Sequence, residues 1–173
     1  YSNIVIADYY NNLPLMGSLQ TEYLAKKSIQ ELNDKNITKI FFIGHSAGSY
    51  FLNNVAKKYG NGFIQMGNVL NSNGILPWEQ ISLYEYPIPT LTLLGQKDGY
   101  TNFLLGLDEL NDIKYNNLYK PIIIEKDVNH LQMADNVKTS LADLFNKKDI
   151  LSPLDIENAH NLLSISISEF IKC

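Results

Sequence analysis

The residues of greatest chemical interest form the sequence GHSAG at positions 44–48, a G-x-S-x-G pattern with Ser46 at its centre. An apolar run that reads as a strand precedes the pattern, and a helical pattern follows it. A serine on so sharp a strand-to-helix turn is held in a strained backbone conformation that exposes its hydroxyl. The next backbone N–H, that of Ala47, points to the same place and can hold an oxyanion. The context predicts a nucleophile at Ser46, against the plainer interpretation of a Gly/Ser turn without chemistry.

A serine hydroxyl is a weak nucleophile without a base, so the three histidines are considered next. His45 lies inside the pattern, and we expect its side chain to point away from the reaction centre. His160 falls in the last helical pattern, where an ordinary surface or packing histidine is expected. His130 follows an apolar run at 121–125 and falls in a loop at the carboxyl end of that predicted strand. His130 is therefore the predicted general base.

A histidine base needs a carboxylate that orients it. Asp98 lies just past another apolar run, again in a carboxyl-end loop, and is the predicted partner of His130. Asp127 is the rival, but it stands so close to His130 in sequence that only a tight turn would let it reach the ring. Asp8 is expected to hold its own loop through backbone hydrogen bonds. The predicted chain order is serine, aspartate, histidine.

Apolar runs and helical patterns alternate along the chain. The runs that read as strands lie at 3–7, 39–44, 62–67, 90–95 and 121–125. The segments that read as helices lie at 17–33, 47–59, 103–112, 132–145 and 154–171. Continuous apolar strands separated by helices predict a doubly wound α/β fold, with a mainly parallel sheet and helices on both faces. Ligands bind outside the carboxyl ends of strands in such sheets, which is where the candidate residues fall.

Composition sets the class of molecule. The 173 residues are 45% hydrophobic and 18% charged, which fits a single domain at 1–173 and excludes disorder as a description of the whole. No apolar run reaches the roughly 18 residues that a membrane span needs. The net charge is −4 and every basic residue is a lysine, so the chain is a poor candidate for binding nucleic acid. Cys173 is the only cysteine, and no metal-ligand cluster or cofactor motif is visible.

Three segments together resemble the α/β-hydrolase superfamily: GHSAG after FFI, LLGQKD after a Pro-x-Pro, and an Asn-His after PIIIEKDV. The resemblance covers nearly the whole chain, and the order serine, aspartate, histidine is that family's order. It implies a carboxylic-ester hydrolase of the lipase or esterase kind that works through an acyl-enzyme at Ser46. His130 would be the general acid and base, oriented by Asp98. An acyltransferase, a thioesterase or a serine peptidase would use the same three residues.

One departure from the family pattern concerns the oxyanion loop. In the family, an earlier strand ends in a loop, often His-Gly, that supplies a second oxyanion N–H. By the family's order, the run at 3–7 comes after that loop, and the chain does not start with methionine. We expect either a fragment of a longer hydrolase or a reduced variant whose second donor lies near Tyr9 and Tyr10. A non-catalytic binding module or an inactive fragment is the competing interpretation, and the complete set of three candidate residues argues against it.

The sequence says little about the substrate beyond its size. The excursion at about 68–89 is too short for a folded lid, so we expect an open site that takes medium-sized esters as small-molecule substrates. The lone cysteine fits a cytoplasmic location, and an upstream segment that carries a signal is the alternative that stays open. Aromatic residues in or near the carboxyl-end loops and the excursion are the candidates for substrate contact: Tyr9, Tyr10, Trp78, Tyr84 and Tyr100.

Overall fold

The computed structural model describes residues 17–33, 37, 39–70, 82–104, 107, 118–134 and 149–173. The predicted strand at 3–7, Asp8, Tyr9, Tyr10 and Trp78 lie outside the described residues, as do most of the predicted helices at 103–112 and 132–145. The described elements are, in chain order, α1 (Gly17–Asn33), β1 (Phe41–His45), α2 (Ala47–Tyr59), β2 (Gly62–Met66), β3 (Thr90–Gly95), β4 (Ile122–Glu125) and α3 (Ile156–Lys172).

The four described strands form one sheet in the order β1-β2-β3-β4, and every neighbouring pair is parallel. The register pairs Phe41 with Gly62 at one end of the sheet and Leu93 with Ile123 at the other. The central strands β2 and β3 are buried along almost their whole length, which explains why they read as continuous apolar runs. Since all four strands run the same way, their carboxyl ends form one edge.

The two faces of the sheet carry separate cores. Side chains alternate along a strand, so Phe63 packs with Ala56 of α2 on one face, while Ile64 packs with Leu163 and Phe170 of α3 on the other. Burying a side chain of this size contributes about 1.5–3 kcal/mol. Helices on both faces of a parallel sheet confirm the predicted doubly wound α/β architecture.

The helices begin and end close to the predicted positions. Gly60 ends α2 in an extended conformation, and a Cβ there would stand 2.7 Å from the Ala56 carbonyl oxygen. Helix α3 begins after Asp155, whose carboxylate accepts a hydrogen bond of 2.8 Å from the Asn158 N–H. Of the described helices, none is long and apolar enough to cross a membrane.

The prediction of a helix at 132–145 is wrong at 132–134, the part of it that the structure describes. Residues 131–133 form a single 3-10 turn, and Ala134 after it is extended. The Gln132 N–H donates to Asn129 Oδ1, and the Gln132 side chain accepts from the Asn129 N–H. This reciprocal pair has the form of a capping box, which favours the start of a helix, so it accounts for the turn and not for its end at Ala134. The described parts of the excursion, 68–70 and 82–89, contain neither helix nor strand.

Candidate active site

Four turns meet at the carboxyl edge of the sheet. Ser46 directly follows β1, and Gly67 directly follows β2. Asp98 lies in the turn after β3, and His130 lies in the turn after β4. The sheet therefore gathers the three predicted site residues at the edge where ligands bind in open α/β folds.

The backbone of Ser46 is in a strained conformation. Its φ of 52° and ψ of −125° lie outside the regions that a residue with a Cβ normally adopts, at a cost of about 1–3 kcal/mol. The Ser46 N–H donates to the Met66 carbonyl over 2.8 Å, which ties the turn to the end of β2. Ser46 occupies the N-cap position of α2, yet its side chain makes no capping hydrogen bond. Its hydroxyl is thus not engaged by the helix that follows.

The two glycines around Ser46 have different roles. A Cβ on Gly44 would stand 2.6 Å from the Ser49 backbone nitrogen and Cα, so only glycine lets β1 and α2 approach so closely. The Ser49 hydroxyl donates to the Gly44 carbonyl and fastens the same contact. A Cβ on Gly48 would meet no described atom within 4 Å. The sharp turn therefore depends on Gly44 and not on Gly48.

Asp98 and His130 form a buried hydrogen-bonded pair. His130 Nδ1 lies 2.7 Å from Asp98 Oδ2, and the two side chains are 3% and 0% exposed. The other carboxylate oxygen, Oδ1, accepts from the backbone N–H groups of Tyr100 at 2.8 Å and Thr101 at 2.7 Å. Because a carboxylate only accepts, Nδ1 carries the proton of this bond and leaves Nε2 as the basic ring nitrogen.

Asp127, the rival carboxylate, is not the partner of His130 in this arrangement. It lies in the turn after β4 with a positive φ of 60°, and its backbone N–H donates to the side chain of Gln96. Its carbonyl accepts from the Ser152 hydroxyl. The structure thus brings together the Asp98 and His130 pair that the sequence favoured.

Gly67 forms one wall of this pair, and the sequence analysis did not single it out. A Cβ on Gly67 would stand 2.9 Å from His130 Nδ1 and 3.3 Å from Asp98 Oδ2. Gly67 also has a φ of +56°, and its carbonyl accepts from the Thr101 hydroxyl at 2.6 Å. Glycine is required here for both its conformation and its lack of a side chain. A glycine directly after an apolar strand at this edge was the signal that could have found it.

His45 lies beside His130, and the expectation that its side chain points away from the reaction centre is wrong. The two ring centroids are 4.6 Å apart, because the loop after β4 folds back over the ends of β2 and β1. Burial, and to a lesser degree the charge of His130, lowers the pKa of His45 to about 4. His45 Nε2 is buried without a hydrogen-bond partner in the described part of the chain. Its imidazole is therefore neutral at pH 7.

Two further aromatic candidates fall in different places. The Tyr100 ring lies 5.0 Å from the His130 ring, at the predicted site. Desolvation, followed by the charges of Asp149 and Asp98, raises the pKa of Tyr100. Tyr84 lies away from the site, since its carbonyl accepts from Lys120, just before the amino end of β4.

The remaining candidates are less informative. Ala47 is the first residue of α2 and is exposed, so its N–H has no acceptor within the helix. His160 is a half-buried residue of α3.

Among the described residues, the Ser46 hydroxyl and the His130 ring are not hydrogen-bonded to each other. The described ranges contain no group of three or more His, Cys, Asp or Glu side chains that could hold a metal ion.

By sequence, no family model and no curated protein matches the chain. By structure, it is similar to an α/β serine hydrolase homologue from Coxiella burnetii, with 18% identity and a TM-score of 0.52 over 81% of this chain and 61% of that one. It is also similar to the esterase Est2 from Thermogutta terrifontis, with 15% identity and a TM-score of 0.51 over 74% of this chain and 62% of that one. The same esterase with propionate bound matches over 84% of this chain and 63% of that one. The chain has an α/β-hydrolase fold.

This α/β-hydrolase fold is incomplete relative to those structures, since the chain spans 61 to 63% of their length. The described part of the fold contains the parallel strands β1 to β4 and the turns that follow them. Those turns place the predicted site residues at one edge of the α/β-hydrolase sheet.

Proposed function

We propose that this chain is a serine hydrolase that cleaves carboxylic esters through an acyl-enzyme at Ser46. The observation that carries the proposal is the buried hydrogen bond of 2.7 Å between His130 Nδ1 and Asp98 Oδ2. It lies at the sheet edge where Ser46 is held in a strained turn with a hydroxyl that does not cap α2. The likeness to an esterase and to a serine hydrolase homologue supports the same chemistry.

In the first half of the reaction, His130 Nε2 removes the proton from the Ser46 hydroxyl as Oγ attacks the ester carbonyl carbon. The carbonyl oxygen becomes an oxyanion, and the Ala47 N–H donates a hydrogen bond to it. His130 then gives its proton to the alcohol oxygen, the C–O bond breaks, and the alcohol leaves. The acyl group is now bound to Ser46.

In the second half, His130 removes a proton from water, which attacks the acyl carbon and releases the carboxylic acid. The proton returns to Ser46 and restores the starting state. Asp98 remains a carboxylate throughout and stabilises the imidazolium form of His130. Hydrogen bonds between a nucleophile and its base are often long in free enzymes and shorten in the substrate complex. The proposal therefore places the contact between Ser46 and His130 in that complex.

The proposed substrates are esters with short to medium acyl groups. The excursion at about 68–89, between β2 and β3, is too short for a folded lid, which favours an open site. The esterase with a similar fold was solved with propionate bound, and propionate is a short carboxylate. p-Nitrophenyl esters of increasing acyl length would measure this preference directly.

A fluorophosphonate probe tests the proposal, because it reacts with serines activated by a base. We expect the unchanged protein to be labelled at Ser46, with the adduct located by peptide mass spectrometry. Ser46→Ala should abolish labelling and keep the circular dichroism spectrum. Ser164→Ala is the matched control, because this exposed serine lies on α3 and its hydroxyl donates only to the Asn161 carbonyl.

Two results would contradict the proposal. One is a folded protein that the probe does not label. The other is labelling that persists in the Ser46→Ala protein at the rate of the unchanged protein. In either case Ser46 would not be the activated nucleophile.

A further inference from the structure

One short segment fastens together the two loops that carry Asp98 and His130. We call residues 149–154 the strap segment. The Ile150 N–H donates to the carbonyl of Lys97 over 3.2 Å, on the Asp98 loop. The Ile150 carbonyl accepts from the side chain of Asn129 over 3.2 Å, on the His130 loop. The strap segment therefore contacts both loops through one residue's backbone.

Asp149, the first residue of the strap segment, joins the two loops more directly. Its Oδ1 accepts from the Gly99 N–H at 3.0 Å and from the His130 N–H at 3.1 Å. Its Oδ2 accepts from the Leu131 N–H at 3.0 Å. One carboxylate thus accepts three backbone donors, which belong to the residue after Asp98, to His130 itself and to the residue after His130.

The position of these three donors explains what the carboxylate can do. Charged acceptors form stronger hydrogen bonds to backbone N–H groups than neutral ones. The donors lie on two separate loops, and Gly99 and His130 are 31 positions apart in sequence. The covalent chain between them therefore does not fix their relative position. The pair made by Asp98 and His130 needs both loops in one geometry.

The charge of Asp149 also reaches the site. It contributes to the raised pKa of Tyr100, after desolvation. It acts on His45 as well, where it opposes the larger effect of burial. Both aromatic rings lie within 5.0 Å of the His130 ring, measured between centroids. Asp149 is therefore a second negative charge beside the pair, with its oxygens bonded to the backbone.

We propose that Asp149 is a positioning residue, which holds the Asp98 loop and the His130 loop together by three backbone hydrogen bonds and so sets the geometry of the Asp98–His130 pair. The inference rests on the proposed function, because it assigns Asp149 a role in the same reaction. It differs from a general stabilising role, since loss of the carboxylate displaces the base relative to the nucleophile. A displacement of about 1 Å costs on the order of 100-fold in rate.

The test compares Asp149→Ala and Asp149→Asn with the unchanged protein, by steady-state turnover of p-nitrophenyl butyrate. Asp149→Ala removes all three acceptor contacts, and we expect kcat to fall about 100-fold while KM changes less than about threefold. Asn keeps one oxygen that can accept from Gly99 and His130 but turns an NH2 donor toward the Leu131 N–H, so Asp149→Asn should recover about tenfold of that loss and stay about tenfold below the unchanged protein. Rescue by the amide would show that the hydrogen bonds, and not the fold alone, carry the effect.

Asp155→Ala is the matched control. Asp155 also accepts a backbone N–H, at the start of α3, but its carboxylate accepts from Asn158 and from neither loop. We expect a lower melting temperature with an unchanged kcat for the folded protein. A fall of kcat in this control equal to that in Asp149→Ala would overturn the inference, because any lost aspartate in this region would then have the same effect.

The remaining outcomes separate the inference from the proposed function. If the unchanged protein turns over the ester and folded Asp149→Ala matches its kcat, the inference is wrong while the proposed function stands. If Asp149→Ala does not fold, Asp149→Asn decides: a lower kcat at constant KM supports the inference, and an unchanged kcat overturns it. If no ester is turned over, the His130 Nδ1–H proton resonance is compared in the unchanged and variant proteins. An unmoved resonance in folded Asp149→Ala overturns the inference, and a shifted one supports it.

Discussion

At the level of single residues, the His130 ring lies between the Asp98 carboxylate and the backbone of Gly67, which has no side chain. Asp98 Oδ2 binds Nδ1, and Gly67 leaves room for the ring where a Cβ would stand 2.9 Å from the same nitrogen. The Thr101 hydroxyl donates to the Gly67 carbonyl and keeps this backbone in place. The absence of a side chain at position 67 is thus part of the site.

We expect Gly67→Ala to reduce labelling by the fluorophosphonate probe by about 100-fold, because the new methyl displaces His130 from Asp98. The same change should lower the free energy of unfolding by about 1–2 kcal/mol, because φ at this position is +56°. Labelling rates and urea denaturation measure the two effects.

Gly67→Asn separates the two causes. Asparagine tolerates a positive φ better than alanine, but it carries the same Cβ. We therefore expect Gly67→Asn to recover part of the stability and none of the labelling. Full labelling in either variant would show that the lack of a side chain at position 67 is not needed to position His130.

Sequence alone could place Ser46, Asp98 and His130 at one sheet edge, because strand ends follow from apolar runs and parallel strands end together. It could not place the His45 ring, whose neighbour His130 arrives from a loop 85 positions away in sequence. Asp149 was missed for the same reason. Its three contacts are made by a loop conformation, and no local pattern marks an aspartate that will accept backbone donors from distant turns.

At the level of elements, the turn between β1 and α2 stores strain that the surrounding packing must offset. The strained residue is Ser46, and the packing is the close approach of Gly44 to the backbone of Ser49. The pairing of β1 with β2 extends into the turn through the hydrogen bond from Ser46 to Met66. A strained residue persists only where its neighbours over-determine it.

Gly44→Ala and Gly48→Ala form a matched pair that tests this account. We expect Gly44→Ala to lower the free energy of unfolding by about 3 kcal/mol or more, because its Cβ meets backbone atoms at 2.6 Å. Gly48→Ala should raise it by about 0.5–1 kcal/mol, because alanine suits a helix better than glycine and meets no described atom. Urea denaturation followed by circular dichroism measures both, and equal effects of the two substitutions would refute the account.

The elements themselves were largely predictable, because continuous apolar runs and helical periodicity are properties of short windows. The prediction at 90–95 coincides with β3. The predictions for β2 and β4 differ from the structure by one residue at one end, and the prediction for β1 differs by two residues at its start and one at its end. The failure at Gln132 is different. The reciprocal hydrogen bonds between Asn129 and Gln132 favour a helix start, yet Ala134 is extended, so neither the periodicity nor these local polar contacts marks where the turn ends.

At the level of the whole molecule, several ionisable side chains are buried in the folded state. The Lys120 ammonium donates to two backbone carbonyls, those of Leu83 and Tyr84, and burial lowers the pKa of Lys120 to about 8. Glu125 is buried and accepts from the Ser166 hydroxyl. Lys120 and the neutral His45, whose Nε2 is buried, therefore couple the stability of the fold to pH.

The coupling through His45 gives a defined acid window. Its pKa is about 4 in the folded protein and 6.5 as the ordinary value, so between these values the unfolded chain binds a proton that the folded chain excludes. The folded state therefore keeps its full stability above pH 6.5 as far as His45 is concerned, and it loses stability as the pH falls toward 4.

We expect the free energy of unfolding of the unchanged protein to fall by about 2–3 kcal/mol through this group between pH 7.5 and 4.5. His45→Gln cannot take up the proton, so urea denaturation of this variant should show a correspondingly smaller loss over the same range. Equal losses of stability in the two proteins would mean that His45 is not the group whose protonation destabilises the fold in acid.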